Sequence, residues 1–407
     1  MLYFIRLGFK NIFRQRARAM LALAAIAISV IFVVGGITLA RGVEKQIFLE
    51  LVGESGEIVV AQQDYFAKSR LNPLKYFVKD STALAQHLRQ IEGVKAVAPR
   101  IDFGVLVESG GKNKAVRATA VDVDVFGQRS AIPRSIVAGS YLQPGQKALL
   151  LGKSVAEELG LKPGDKVTLL GKDVYDSFTA DDFELAGVFD LGNNASNRAV
   201  FMPVQAAQEF LAMEEGATKL VLYTAHYEKA GVVAERIRAG GGLPAGAAVR
   251  TWQDDAFLQN IHKTLLGVRK GISFIICFVA GLGILNMMMV SVLERRREVG
   301  VLMALGMSRR GIVTSFLYEA GLYGVLGSLV GLVFAIPLGW YLHAVGIVVA
   351  TDKVKGLPVA ISVLRGDFTA DAVVTGLVMG VLLGIVGMVL PVLKTLSMTP
   401  QDAMVRG

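Results

Sequence analysis

Four long stretches without charge constrain this chain more than any other feature. Residues 20–39, 272–293 and 372–393 carry no charged side chain, and residues 312–350 carry only Glu319. About 20 consecutive apolar residues cross the hydrocarbon core of a bilayer. Inside lipid the backbone polar groups must bond within their own segment, so each run is predicted as a spanning helix. Roughly 230 residues of mixed, soluble-looking sequence separate the first run from the second. The layout is one span, one large exposed domain, then three spans.

The third run is too long for one plain crossing. At a rise of 1.5 Å per residue it would reach roughly 58 Å, against about 30 Å of hydrocarbon. Two spans with a tight turn are cramped. One span that continues past the membrane or bends near Pro337 is preferred, with Trp340 and Tyr341 in an interfacial belt.

Composition closes off other classes. Hydrophobic residues make up 53% of the 407 and charged residues 19%, too greasy for a wholly soluble protein. Cys277 is the only cysteine, so no disulfide framework exists within the chain. The formal net charge of +9 suggests an anionic partner, and its position decides which. Arg6, Lys10, Arg14, Arg16 and Arg18 precede the first run, and Arg295, Arg296, Arg297, Arg309 and Arg310 lie between the second and third. Charge that hugs the membrane argues against nucleic acid. It places both segments, and both termini, in the cytoplasm and the large domain outside.

The expected organisation is a cytoplasmic interfacial helix over 1–19, a first span over 20–43 and an extracytoplasmic α+β domain over 44–268. A second span over 269–293 and a short cytoplasmic helix over 294–310 follow. The third span covers 311–350, an extracytoplasmic loop 351–369, the fourth span 370–393 and a cytoplasmic tail 394–407. Leu2, Ile5, Phe9 and Ile12 share a helical face opposite Arg6, Lys10 and Arg14, which suits an interfacial helix; a positively charged topogenic tail is the plainer reading. In the outer domain, strands are predicted over 57–61, 94–107, 115–123, 147–151, 166–170, 183–189, 199–203 and 219–224. Helices are predicted over 81–91 (Ser81 as N-cap), 154–159, 204–212 and 228–238, in one or two lobes.

No catalytic or metal chemistry is visible. His87, His226 and His262 lack ligand spacing. Gly152-Lys153-Ser154 ends like a phosphate loop, but Lys147 stands where that loop requires glycine. The informative motifs lie in the membrane part. Residues 294–310 read ERRREVGVLMALGMSRR, an apolar-faced short helix bracketed by arginines. It suits docking into a groove on a cytoplasmic partner; a topogenic loop with solvated charges is the alternative. Gly376, Gly380 and Gly384 recur at four-residue spacing, and Gly324, Gly327 and Gly331 lie in the third run. Small residues let helices approach closely, within the subunit or at a subunit interface.

The whole chain resembles the permease subunits of ABC transporters of the MacB, FtsX and Lol type, and in layout is similar to the lipoprotein-releasing permeases. The most specific match is the loop E-R-R-x-E-[IV]-G-x-[LM]-x-A-[LM]-G-x-[ST]: Glu294, Arg295, Arg296, Glu298, Val299, Gly300, Leu302, Ala304, Leu305, Gly306 and Ser308. Met303 stands where the family often has Arg. Residues 149–169, 198–210 and 391–405 match other family stretches. The resemblance implies four membrane helices with an N-terminal interfacial helix and a MacB-like periplasmic α+β domain in a bacterial inner membrane. It implies that 294–310 is the coupling helix docking on a separate cytoplasmic ATPase, and that two permease copies, identical or paralogous, pair. The chain itself is then not an enzyme and binds no cofactor; ATP and Mg belong to the ATPase. Family geometry points to Phe32, Val33, Gly36, Ile275 and Val279 as contacts for a lipoprotein or amphipathic substrate lifted from the outer leaflet by mechanotransmission. Periplasm-facing efflux, as in MacB, and regulation of an outside enzyme, as in FtsX, are the alternatives.

Overall fold

The computed structural model describes residues 16–68, 74–192, 194, 196–240, 242–294, 296–348 and 363–396. Most of the expected interfacial helix, the 351–362 part of the outer loop and the tail from 397 lie outside those residues. In chain order the first elements are α1 (Arg16–Ser55), β1 (Ile58–Gln62), α2 (Gln63–Lys68), α3 (Ser81–Arg89), β2 (Val94–Ser109) and β3 (Lys112–Val121). There follow α4 (Val123–Arg129), β4 (Ile136–Gly139), β5 (Ala148–Gly152), α5 (Lys153–Leu159), β6 (Lys166–Lys172), β7 (Phe178–Phe189), β8 (Ala199–Pro203) and α6 (Val204–Phe210). The remainder is β9 (Lys219–Thr224), α7 (Ala230–Ala239), β10 (Ala247–Thr251), α8 (Ala256–Glu294), α9 (Arg296–Ala304), α10 (Arg309–Ala344), β11 (Ile347–Val348), β12 (Val363–Leu364) and α11 (Ala370–Leu396).

Two compact units result. One comprises residues 1–46, 265–349 and 363–407, the other 47–264 and 350–362. Among the described residues four helices, lying wholly or mostly in the first unit, are long and apolar enough to cross a membrane: Ala19–Ser55, Ala256–Glu294, Arg309–Ala344 and Ala370–Val389. The third is one continuous helix that contains Pro337, not a pair of spans. Ile26 and Val30 of α1, Ile284 and Met288 of α8, Phe316 and Ala320 of α10 and Met388 of α11 share its core.

Glycines set the helix spacing there. A β-carbon on Gly331 would stand 2.8 Å from the Ala27 carbonyl oxygen, and one on Gly327 2.8 Å from Ile26 Cβ, so α10 lies hard against α1. Gly324 meets Val381 Cα at 2.9 Å and Gly384 meets Gly324 Cα at 3.3 Å by the same construction, which joins α10 to α11. A side chain on Gly376 would strike Val34, and one on Gly380 would strike Ser328 and Val30. Such contact replaces the hydrophobic drive that lipid cannot supply between helices.

In the outer unit a ten-stranded sheet has the order β10-β1-β9-β2-β3-β8-β5-β7-β4, with β6 pairing both β2 and β7. Strands β2, β3, β8, β5, β7 and β6 therefore close a ring. Each of those strands is paired on both sides over part of its length, the β2–β6 ladder spanning Leu106–Glu108 and Thr168–Leu170. Ile101, Phe103, Leu151, Leu169, Phe183 and Met202 fill the ring core, and Val155 of α5 and Phe210 of α6 pack into it. The N-terminal half of β2 carries β9, β1 and β10 outward, so one 16-residue strand serves both lobes. The β2–β3 turn is Gly110-Gly111, with φ of 58° and 80°, between the paired Ser109 and Lys112. Positive φ at both central residues is what a two-residue hairpin needs.

One predicted cap differs. Asp80 precedes α3 with φ 48°, without a side-chain cap bond, and the Ser81 hydroxyl donates instead to the Glu215 carbonyl, 2.6 Å. A long-range partner won the hydroxyl. The Gly152-Lys153-Ser154 segment also has a structural reason. A side chain on Gly152 would strike the Asn197 carbonyl, and Lys153 pairs with Asp190 at 3.0 Å.

Candidate functional site

The segment between α8 and α10 is built to present one face outward. Glu294 ends α8 exposed, Arg295 lies outside the described residues, and Arg296 opens α9. Glu298 sits in the first turn of α9, where the helix dipole favours an acid. The far end closes by a glycine cap. Gly306 has φ 86°, its N–H donates to the Met303 carbonyl at 3.0 Å, and Met307 N–H donates to Leu302 at 3.0 Å. These are the two bonds of a Schellman motif, and the left-handed residue is glycine because a β-carbon is costly there. Ser308 then starts α10 as N-cap: its hydroxyl accepts from Gly311 N–H at 3.2 Å.

These caps fix which side chains face where. Val299 is 1% exposed, and Met303 and Met307 pack beside it on the membrane-unit core. Gly300 is also buried. On the other side Val301 is 46% exposed, Leu302 37% and Leu305 78%. Ala304, Arg297, Arg309 and Arg310 are exposed around them. The expected single apolar face is therefore two faces. One anchors α9 to the bundle; the other is open and rimmed by cations. Val301 belongs to the open face although the family pattern leaves its position free; its only sequence signal is being apolar beside Leu302.

The expected substrate contacts divide. Phe32 (53% exposed), Ile275 and Val279 face outward from α1 and α8, whereas Val33 is 1% exposed among Ile37, Ala280 and Ala372. A side chain on Gly36 would meet Ile276 at 2.6 Å. Val33 and Gly36 are thus packing positions in this arrangement, because they lie on the α1 face turned to α8.

A polar clamp at the other end of the same unit was not singled out from sequence. Arg41 of α1 bonds Asp371 and Thr369, Lys45 pairs with Asp367 at 2.9 Å, and Glu44 pairs with Arg269 at 3.0 Å. Gln46 donates to the Val363 carbonyl at 3.0 Å. The signal was the near-balance of charges after the first apolar run and before the last. Among the described residues no three His, Cys, Asp or Glu gather as a metal site.

Comparison with known proteins now bears on this geometry. A family described as the MacB-like periplasmic core domain matches residues 19–239, more than half the chain, and the FtsX-like permease C-terminal family matches residues 270–400. The chain belongs to the MacB/FtsX family of ABC transporter permeases. It is a multi-pass membrane protein with a MacB-like outer domain. This MacB-type chain is 25% identical to an uncharacterized ABC transporter permease of Methanocaldococcus jannaschii over 357 residues, 84% of each. It is 26% identical over 402 residues to the pyoverdine export ATP-binding/permease protein PvdT of Pseudomonas fluorescens, covering 92% of this chain and 56% of that protein. It thus spans little more than half of that relative's length. The crystal structure of the periplasmic region of MacB from Actinobacillus actinomycetemcomitans is similar at 13% identity and a TM-score of 0.35, covering 53% of this chain and 97% of that one.

Proposed function

We propose that this chain is the permease subunit of an ATP-driven transporter and that α9 is its coupling helix. The observation that carries this reading is the open apolar face of Val301, Leu302 and Leu305 on a helix whose other face is anchored by Val299. Aliphatic side chains held out beside exposed arginines fit a hydrophobic groove with an acidic rim on a cytoplasmic ATPase. The ATPase hydrolyses ATP with Mg; the permease transmits its motion. Two permease copies pair, and the large domain lies on the periplasmic side of a bacterial inner membrane, with both termini cytoplasmic.

The cargo of this reading is an amphipathic or lipid-anchored molecule taken from the outer leaflet. Withdrawing each buried CH₂ costs about 0.8 kcal/mol, so extraction of an acyl anchor needs an energy source. Lipoprotein release is one form of it. Export of a small amphiphile is the other, favoured by the relative whose name specifies pyoverdine export. Phe32, Ile275 and Val279 offer apolar side chains to either cargo.

The test is a mild-detergent pull-down of the tagged full chain from its host, beside a Leu302→Glu/Leu305→Glu variant. The wild type is expected to bring down an ABC ATPase, and the variant to lose it by about tenfold or more while its yield in the membrane holds. Co-purifying lipoproteins indicate release, and an adaptor or outer-membrane channel indicates export. An external hydrolase as main partner indicates regulation. Equal ATPase recovery in both chains overturns the coupling assignment.

A further inference from the structure

The Thr38–Gln46 stretch of α1 and the C-terminal end of α10 are tied together by backbone. Asp367 N–H donates to the Thr38 carbonyl at 3.0 Å, and Gly366 N–H to the Leu342 carbonyl at 2.9 Å. The Gly366 carbonyl lies 2.9 Å from His343 Nδ1. A β-carbon on Gly42 would stand 2.7 Å from Gly366 Cα, and one on Gly366 2.7 Å from Thr38 Cγ2. The Gln46 side chain accepts from Arg365 N–H at 3.3 Å. Residues 363–369 are thus a strap from α1 to α10, reinforced by the Arg41 and Lys45 ion pairs. Backbone hydrogen bonds held under such close contact open only with the structure around them.

The helix α8 is held differently. From Ile276 onward it is packed. A β-carbon on Gly36 would meet Ile276 at 2.6 Å, one on Gly281 would meet Leu383 at 3.0 Å, and one on Gly387 would meet Leu285 Cα at 3.3 Å. Ala280 shares a small core with Val33, Ile37 and Ala372. Before Ile276 that packing ends. Val268, Ile272, Phe274 and Ile275 are exposed, and β-carbons on Gly267 and Gly271 would meet nothing within 4 Å. Among the described residues one ion pair joins this stretch to α1: Arg269 to Glu44 at 3.0 Å, with the Glu44 side chain 6% exposed.

A stretch with few buried apolar contacts opens at low cost, and a single ion pair then decides whether it stays closed. Loss of either partner leaves the other charge uncompensated, and separation of the helices is what hydrates it. The same helix stands next to the coupling segment. One residue separates α8 from α9, against four between α9 and α10, and α10 is strapped to α1. A displacement of α9 therefore reaches the loosely held helix most directly.

We propose that Glu44 and Arg269 form a latch on the seam between α1 and α8. Its release lets the α8 stretch before Ile276 swing away from the strapped α1–α10 pair, with the Gly36–Ile276 contact as pivot, and the opened seam admits the outer-leaflet cargo beside Ile275. The inference rests on the readings of α9 as coupling helix and of the cargo as an amphiphile, and gives that cargo an entrance. The test uses the full chain in a Cys277→Ser background, with its co-purified ATPase, in lipid nanodiscs. Spin labels on Phe32→Cys and Val268→Cys read the α1–α8 distance by electron–electron double resonance, and labels on Phe32→Cys and Val345→Cys read α1–α10; all three sites are exposed. ATP with vanadate is expected to lengthen the first distance by about 5 Å, the scale of a one-turn helix displacement, and to leave the second unchanged. Glu44→Gln and Arg269→Gln are each expected to show the long distance without nucleotide, and Arg269→Lys to keep the short one. Short distances in both glutamine variants overturn the latch, as does equal lengthening of the two labelled pairs. Long distances in the glutamine variants with no response to ATP keep the latch and remove the coupling assignment instead.

Discussion

Single residues in the outer domain hold a buried charge in place. The Asp102 carboxylate accepts from Lys219, from the Thr119 hydroxyl at 3.1 Å and from the Tyr65 hydroxyl at 3.3 Å. Burial alone would raise its pKa, but the Lys219 ammonium and the hydrogen bonds outweigh burial and hold it below the usual carboxylate range. Burial and the Asp102 charge push the Tyr65 hydroxyl up. A depressed carboxyl contributes stability that is present above its unfolded pKa, about 3.9, and lost as pH falls through its lower folded value. Stability of the full chain is therefore expected to drop below about pH 4, and Asp102→Asn to weaken that dependence. Asp102→Asn leaves Lys219 without its counter-ion and should cost about 3 kcal/mol at pH 7. Adding Lys219→Met should recover part of the loss. Urea unfolding in detergent at pH 7 and pH 3 checks both; an unchanged midpoint in Asp102→Asn would show that the pair is solvated.

At the scale of elements, glycine positions in α10 decide how close its neighbours come. Gly331→Leu would drive a side chain into the Ala27 backbone and is expected to destabilise the membrane unit by about 1–3 kcal/mol. Gly321→Leu, whose β-carbon meets nothing within 4 Å, is the matched control and should be near neutral. Thermal unfolding followed by size exclusion compares them; equal loss in both would mean that helix propensity, not contact, governs. The spacing of these glycines was legible in the sequence, because small residues at helical intervals have one structural use in lipid. Their partners were not, since which helix meets which depends on the whole bundle. The short helix α9 shows the same division. Its glycine cap and its serine cap are local chemistry. That Val299 turns inward and Leu305 outward follows from how the caps aim the helix at the bundle.

Across the whole molecule, the closed ring explains why the outer domain reads as short strands at irregular intervals. Strands β3 and β8 pair in parallel, as do β5 and β7, so the ring needs crossover connections and long-range contacts. Sidedness is a further prediction at this scale. In a Cys277→Ser background, Phe178→Cys should react with a membrane-impermeant maleimide on intact spheroplasts, and Leu305→Cys only after permeabilisation. Reaction of Leu305→Cys from outside would invert the topology. Leu305 and Phe178 are 78% and 89% exposed, so access to solvent does not limit either reaction.

Hydropathy and charge by themselves determined the number of membrane helices, the existence of a large domain after the first, and the α9 motif. These are local properties: an apolar run long enough to span, a cap, a cationic flank. Most strand positions in the outer domain were also legible, because alternation and turn residues act within a few residues; the short strands β4 and β10 were not. The ring closure through β6, the Asp102–Lys219 pair and the Arg41–Asp371 clamp were decided only in three dimensions. Each joins residues far apart in the chain, and pairing at that separation is selected by the total burial and hydrogen bonding of the folded state, not by the identity of either partner.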